Sequence, residues 1–307
     1  MYDEWWLDIN MSLSVLLPVY GEASFICEAI ISTLDDIELE DELIIILDRT
    51  SDNTKAIIED FASKDGRIVV INSAEPGITN ALNLGVRISS ADFIARMDAD
   101  DVVINGRFHQ QKKFLKSHPE YILIGSNIQF IDSTGRKIGL KVFPSKHNSI
   151  KRMLIFYNPI AHPSVMIRRV SMLESGLYKI GTDGFEDFYL WRKLINFGKF
   201  RNSKKCFLKY RVHANQTSTQ NISTINGHNT FYSNFIKSEN KPKDSLLYFY
   251  EKIITRKERK IHTFLIDFKF MRSYFLSLLV SPKSTFDLTF YYTLNIMISK
   301  FNSKLTK

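Results

Sequence analysis

The first hundred residues alternate short apolar runs with longer polar stretches in which apolar residues recur at helical spacing. Residues 13–19 form a mostly apolar run ending in Pro18-Val19-Tyr20-Gly21-Glu22, which predicts a buried strand and then a loop. Ser24 is placed to cap a helix reaching residue 34, with Phe25, Ala29, Ile30 and Thr33 near helical spacing. Residues 43–47, Leu-Ile-Ile-Ile-Leu, predict a second buried strand that ends at Asp48. Asp52, a residue type favoured at helix starts, is expected to cap a helix over 53–64. A third strand is expected at 67–71, a helix after Gly77 near 79–88, and a fourth strand at 93–97.

Strands that alternate with helices at this spacing predict a parallel sheet between two helical layers, with its loops gathered along one edge. That edge receives Pro18 to Glu22, Asp48 and the run Asp98-Ala99-Asp100-Asp101, three polar clusters far apart in sequence. Open sheets of this kind bind ligands beyond the carboxyl ends of their strands. After a helix at 107–117 the pattern changes. Strands at 121–130 and 137–143 flank Asp132-Ser133-Thr134-Gly135-Arg136, a good hairpin turn, and mark an antiparallel region. A short helix at 150–156 leads to Asn158-Pro159-Ile160-Ala161-His162-Pro163, read as a rigid polar loop before a strand at 164–167. Residues 182–186 are expected to open a helix carrying Asp187, Leu190, Trp191, Leu194 and Ile195, and residues 206–212 to form the last strand. The Thr/Ser/Asn-rich stretch 216–230 reads as a linker, so the expected division is 1–220 and 221–307.

Arg96-Met97-Asp98-Ala99-Asp100-Asp101 carries the most pointed chemistry. Three carboxylates within four residues repel one another unless a cation sits among them, and Mg²⁺ or Mn²⁺ bridging to phosphate oxygens is the usual solution. The alternative is an Asp-rich turn or helix cap with no ligand. No G-x-G-x-x-G follows the first strand and no Walker motif occurs. The two cysteines, Cys27 and Cys206, provide neither metal-ligand spacing nor a disulfide framework, which fits a reducing compartment. The N-terminus opens acidic, without the apolar run of a signal peptide, and no uncharged run approaches the roughly 18–20 residues that span a bilayer.

With those motifs in place, the chain resembles a family 2 glycosyltransferase of the GT-A fold, of the bacterial kind that assembles surface polysaccharides. The resemblance covers residues 12–218 and rests on motifs in order: Ser14-Val15-Leu16-Leu17-Pro18-Val19-Tyr20, Leu47-Asp48-Arg49-Thr50-Ser51-Asp52-Asn53-Thr54, and Gly77 to Asn83 with Gly85. Then come Arg96 to Asp101, His162-Pro163-Ser164-Val165, Glu186-Asp187-Phe188-Tyr189-Leu190-Trp191 and Tyr210-Arg211-Val212-His213. The resemblance implies a three-layer α/β/α sandwich with a mostly parallel sheet, and an inverting transfer from a nucleotide-diphosphate sugar to a hydroxyl of a saccharide or lipid-linked saccharide. The Gln-x-x-Arg-Trp motif and membrane spans of processive synthases are missing, so a single addition is expected. Uridine is the implied nucleoside.

The resemblance also assigns roles. Asp187 is the implied base that takes the acceptor's proton, with Glu186 beside it. Pro18, Val19, Tyr20 and Glu22 would flank the base and ribose, and Asp48 would bond the base edge. Gly77 and Asn83 would shape the loop facing the donor. Arg96, Asp98 and Ala99 would lie along the donor, and Asp98, Asp100 and His213 would hold Mg²⁺ or Mn²⁺. Other readings stand beside these. Glu186 and Asp187 also suit a helix N-terminus through its dipole. His162 and Trp191 are also ordinary core residues, and Arg107 is either a partner of the acidic cluster or a solvated helix position. Two departures stand out: Leu47-Asp48-Arg49 replaces the common Asp-Asp-Gly, and Asn105 replaces a common proline. A catalytically degenerate saccharide-binding or scaffolding module is the alternative from outside catalysis, and a sugar nucleotidyltransferase the alternative within it.

Charge changes the picture only at the end of the chain. Residues 221–307 carry 14 Lys and Arg against 6 Asp and Glu, which accounts for the whole net charge of +8. Residues 231–307 interleave that charge with Phe and Tyr, the pattern of helices lying on an anionic membrane surface. Helices packed on the catalytic domain with a solvated basic face would give the same pattern. No nucleic-acid module is recognisable. The expected location is cytoplasmic, with peripheral contact on the inner membrane face through this segment.

Overall fold

The computed structural model describes residues 11–21, 23–154 and 158–213. Glu22, the expected linker, the basic segment and the expected boundary at 220 all lie outside them. Four strands, β1 (Leu13–Gly21), β2 (Glu42–Thr50), β3 (Ile68–Asn72) and β4 (Phe93–Arg96), run parallel in the order β3-β2-β1-β4. They are joined by helices α1 (Ile26–Leu34), α2 (Asp52–Lys64) and α3 (Ile78–Ile88). The order reverses at β1, with β2 on one side and β4 on the other. This is the topological switch at which open α/β sheets leave a crevice beyond their carboxyl ends.

Three layers follow from strand periodicity. Leu13, Val15, Leu17 and Val19 of β1, with Leu43, Ile45 and Leu47 of β2, pack into one core with Ile26, Ala29 and Ile30 of α1 and Ile58 of α2. Leu16 and Ile46 face the other way, against α3. Gly85 lets α3 lie close there, because a Cβ at that position would sit 2.9 Å from Leu16 Cδ2 and 3.3 Å from Ile46 Cδ1.

The second half of the sheet is mixed. It comprises β5 (Val102–Val103), β6 (Tyr121–Ile131), β7 (Lys137–Lys141), β8 (Met166–Arg168) and β9 (Lys199–Arg211), in the order β4-β8-β6-β9-β5 with β7 on β6. The pairs β4–β8, β6–β8, β6–β7 and β5–β9 are antiparallel, and β6–β9 is parallel. Four helices complete the described fold: α4 (Arg107–Ser117), α5 (His147–Met153), α6 (Arg169–Glu174) and α7 (Glu186–Leu194). Phe108 and Leu115 of α4 join the same core as α1. No helix among the described residues is long and apolar enough to cross a membrane.

Several local expectations need correction. Helix α1 starts after Phe25 with no side-chain cap, so Ser24 does not cap it. Ser51, not Asp52, caps α2; its Oγ accepts from Thr54 N at 3.3 Å, and Asp52 is the first helical residue. The two are adjacent and both favoured at caps, so sequence alone could not separate them. The last strand begins seven residues before Cys206, at Lys199, because pairing with β6 carries it through a polar stretch. The helix expected from 182 opens only at Glu186.

Candidate active site

At the carboxyl edge of β1, Pro18 and Val19 remain inside the sheet while Tyr20, which is 66% exposed, turns out to solvent opposite Asp48. Asp48 is buried and held from two sides. Gly77 N donates to its Oδ2 at 2.9 Å, and Arg49 Nε donates to its Oδ1 at 3.1 Å. The Arg49 guanidinium carbon also lies 4.9 Å from the Tyr20 ring centroid. Gly77 leads into α3 with φ +108°, a conformation that favours glycine. A Cβ there would lie 2.6 Å from Asp183 Oδ2.

Helix α3 then holds the segment that leads to the expected catalytic pair. Asp183 Oδ1 accepts from Thr79 N at 3.1 Å and from Thr79 Oγ1 at 2.7 Å, capping α3 from 104 residues away. Asn83 is buried with its amide given to one residue: Nδ2 donates to Tyr178 O at 2.8 Å, and Oδ1 accepts from Tyr178 N at 2.9 Å. Asp183 and Tyr178 had no distinguishing sequence signal.

The acidic turn follows β4 directly. Oxygen atoms of Asp98, Asp100 and Asp101 lie within 4.8 Å of one another. Asp98 forms an ion pair with buried Arg96, whose Nη1 also donates to Met97 O. Asp100 Oδ2 faces His213 Nε2 at 3.0 Å, and the His213 ring lies 5.3 Å from that of Phe25. Asp101 is wholly buried; Oδ1 accepts from Arg211 N at 2.9 Å, which ties the turn to β9. Its Oδ2 has no hydrogen-bond partner. Burial first, then repulsion from Asp98, raises the pKa of Asp100; burial with Asp98 and Asp100 raises that of Asp101 well above the carboxylate range. A crowded set of oxygen donors, one of them buried without a partner, fits a hard divalent cation. Asp98 and Asp100 are the partly accessible members of the set, and His213 touches Asp100. Arg107 lies behind the turn, fully buried. Its Nη2 donates to Arg96 O at 2.8 Å, so it braces the strand end and is not a solvated position.

The pair Glu186 and Asp187 opens α7. Asp187 Oδ1 accepts from Phe188 N at 2.6 Å and Oδ2 from Asn158 Nδ2 at 2.5 Å. Burial pushes the Asp187 carboxyl up to about 6, where it can exchange protons near neutrality. Burial would also raise Glu186, but His162, with Nδ1 3.6 Å from Glu186 Oε1, outweighs it and brings the carboxyl below its usual range. His162 Nε2 meets the buried Tyr178 hydroxyl at 2.9 Å. Trp191 is fully buried between the rings of His162 and Phe200, so it is core.

Residues 14–177 match the family Glycosyl transferase family 2. The chain belongs to glycosyltransferase family 2. Among related glycosyltransferases, the amylovoran biosynthesis glycosyltransferase AmsE of Erwinia amylovora is 30% identical over 159 residues, covering 52% of this chain and 59% of that protein. The O-antigen biosynthesis glycosyltransferase WbnJ of Escherichia coli is 28% identical over 209 residues, covering 67% and 81% respectively. An uncharacterized glycosyltransferase of Haemophilus influenzae is 29% identical over 218 residues, 67% of each chain. Solved structures share the fold at low identity. S. aureus TarS 1-349 in complex with UDP-GlcNAc superposes with a TM-score of 0.59 at 14% identity, covering 82% of this chain and 69% of that one. The mannosyltransferase PcManGT of Pyrobaculum calidifontis, in complex with GDP-Man and Mn²⁺, gives 0.57 at 15% identity, covering 80% and 73%. The glycosyltransferase thus has the layered architecture read from its strand pattern and the GT-A-like fold that the resemblance implied.

Proposed function

We propose that this chain is an inverting, metal-dependent glycosyltransferase. It adds one sugar from a uridine-diphosphate sugar to a hydroxyl of a saccharide or lipid-linked saccharide in surface-polysaccharide assembly. The observation that carries the reading is a set of three carboxylate stations: Asp48 near the carboxyl end of β2, Asp98 and Asp100 just after β4, and Asp187 at the start of α7. Hydrogen bonds through α3 connect the first to the segment bearing the third. The named relatives act in amylovoran and O-antigen biosynthesis, and two fold neighbours hold nucleotide sugars, which supports the substrate class.

In this reading Asp48 accepts a hydrogen bond from the base while Tyr20 and the backbone at Pro18 and Val19 flank it. Asp98 and Asp100, with His213 adjoining, would hold Mg²⁺ or Mn²⁺, which when bound would supply positive charge against the departing diphosphate. Asp187 takes the acceptor's proton as that oxygen attacks the anomeric carbon. Asn158 Nδ2 and Phe188 N fix its carboxylate, and a pKa near neutrality suits the task. Glu186, paired with His162, acts on it through charge. The basic segment 231–307 would bring the enzyme to an anionic membrane bearing a lipid-linked acceptor.

A thermal-shift screen of nucleotide sugars in Mn²⁺, repeated in EDTA, tests the reading, because a ligand bound only to the native state raises its stability. The expected result is a Mn²⁺-dependent rise with UDP-sugars. No shift with any nucleotide sugar would leave the degenerate binding module as the better account.

A further inference from the structure

The structural contact of Arg49 uses only one of its nitrogens, the Nε that bonds Asp48. Its side chain is 61% exposed, against 8% for that of Asp48, and its backbone takes φ +48°, which is uncommon for a residue with a side chain. Such strain in an exposed arginine calls for a return elsewhere. The guanidinium is nevertheless placed. Nε bonds Asp48 Oδ1 at 3.1 Å, and the group lies over the exposed Tyr20 ring, 4.9 Å from its centroid. Asp48 itself cannot swing, because Gly77 N pins Oδ2 at 2.9 Å. No further bond engages the two outer nitrogens of Arg49 among the described residues. The result is an exposed aromatic ring with a guanidinium over it, whose outer pair of donors is unfilled, next to a fixed acceptor.

Resting on the nucleotide-sugar reading above, we infer that Arg49 is a base-reading residue, which completes with Tyr20 and Asp48 a site for a nucleobase presenting an N–H next to a carbonyl. Asp48 takes the N–H, and the guanidinium donates to the adjoining carbonyl oxygen. Uracil carries a carbonyl on each side of its imide N–H. Cytosine at the same place turns a bare ring nitrogen toward the carboxylate, so lone pair faces lone pair. The fork of donors is what a lysine cannot supply, since an ammonium offers charge without planar, paired N–H groups or stacking. Arg49 is therefore specific to the base and separate from the diphosphate, which the acidic turn serves.

The test measures binding of UDP, CDP and pyrophosphate to the full chain in Mn²⁺ by calorimetry, for the native protein, Arg49→Ala and Arg49→Lys. The native chain should bind UDP more tightly than CDP. Both variants should lose about five- to tenfold for UDP, the scale of one lost charge-assisted hydrogen bond at an exposed site. They should narrow the UDP-to-CDP ratio and leave pyrophosphate unchanged. Because Arg49 is exposed, its replacement should leave the melting temperature near the native value. An equal loss for UDP and pyrophosphate would make Arg49 a phosphate counter-ion and overturn the inference, as would rescue by lysine. Tighter UDP binding by Arg49→Ala would also overturn it, by showing that the guanidinium merely fills the place of the base. A native chain that binds none of the three would remove the nucleotide-sugar reading and the inference together. Native UDP binding left unaltered by both substitutions would remove the inference alone.

Discussion

Asp187→Asn removes a charge from a recessed position while keeping the side chain's shape, so the roles proposed for that carboxylate separate cleanly. Its carboxyl titrates near 6 in the native fold, against an ordinary Asp value of 3.8, mainly because burial disfavours the ionised form. The native state therefore holds its proton to higher pH than the unfolded chain does. Stability is lost as pH rises from 3.8 toward 6, and the penalty is complete above 6. A shift of about 2 units corresponds to roughly 3 kcal/mol at most. Part of the side chain still reaches water, and screening trims the penalty to about 2 kcal/mol. The substitution also has a cost. Asn158 Nδ2 would face a second amide donor, and turning Asn158 to suit would forfeit its Oδ1 contact with Ile160 N, about 1 kcal/mol. The net gain near pH 7.5 is thus about 1 kcal/mol, or roughly 2–4 °C in melting temperature for a domain of this size. Thermal melts of both proteins at pH 7.5 and pH 4.5 measure it. The variant should be the more stable at pH 7.5, with the advantage gone at pH 4.5. A variant no more stable than native at pH 7.5, or one with the same advantage at both pH values, would refute the reasoning about Asp187.

The same carboxyl sets an expectation for catalysis: kcat/KM should rise with pH through about 6 and then level, as the base ionises in the free enzyme. A rate flat from pH 5 to 8 would assign the proton transfer elsewhere. Asp183→Ala should lower stability by about 1 kcal/mol, the usual worth of an N-cap, by freeing Thr79 N and Oγ1. Asp183→Asn, which keeps an accepting oxygen, should restore most of it in denaturant melts, and equal loss in both variants would show that charge rather than the hydrogen bonds matters. Gly77→Ala should cost about 1–3 kcal/mol, from φ +108° and the clash with Asp183 Oδ2, and should weaken nucleotide binding because Gly77 N anchors Asp48. Normal stability in chemical denaturation would contradict that backbone argument.

The first half of the fold was legible because its signal is local. Each of β1, β2 and β4 is almost wholly buried, so it reads as an unbroken apolar run, and the acids at the strand ends break those runs sharply. The second half was less so. Strand β5 is two residues long, and β9 passes through Arg201, Asn202, Ser203, Lys204 and Lys205, a polar stretch whose first three residues pair with β6 and whose last two fall in a register shift. Among the candidate site residues, the acidic turn and the Glu-Asp pair were visible from composition and order. The bonds that bring them into register were not. Asn83 to Tyr178 and Thr79 to Asp183 span 95 and 104 residues, and no periodicity reports a contact of that range. Arg49 was visible only as a departure from the family pattern; its stacking on Tyr20 needed coordinates.

The claim at the centre is that Asp98 and Asp100 bind a nucleoside diphosphate through a divalent cation, between Asp48 and Asp187. Titration calorimetry of UDP into the native chain and Asp100→Ala, each in Mn²⁺ and in EDTA, tests it most directly. The expected result is native binding in Mn²⁺ that weakens at least about tenfold in EDTA, a loss of roughly 1.4 kcal/mol or more, with Asp100→Ala equally weak in either medium. Native binding of UDP that is indifferent to EDTA, or an Asp100→Ala protein that still responds to Mn²⁺ as the native chain does, would contradict it.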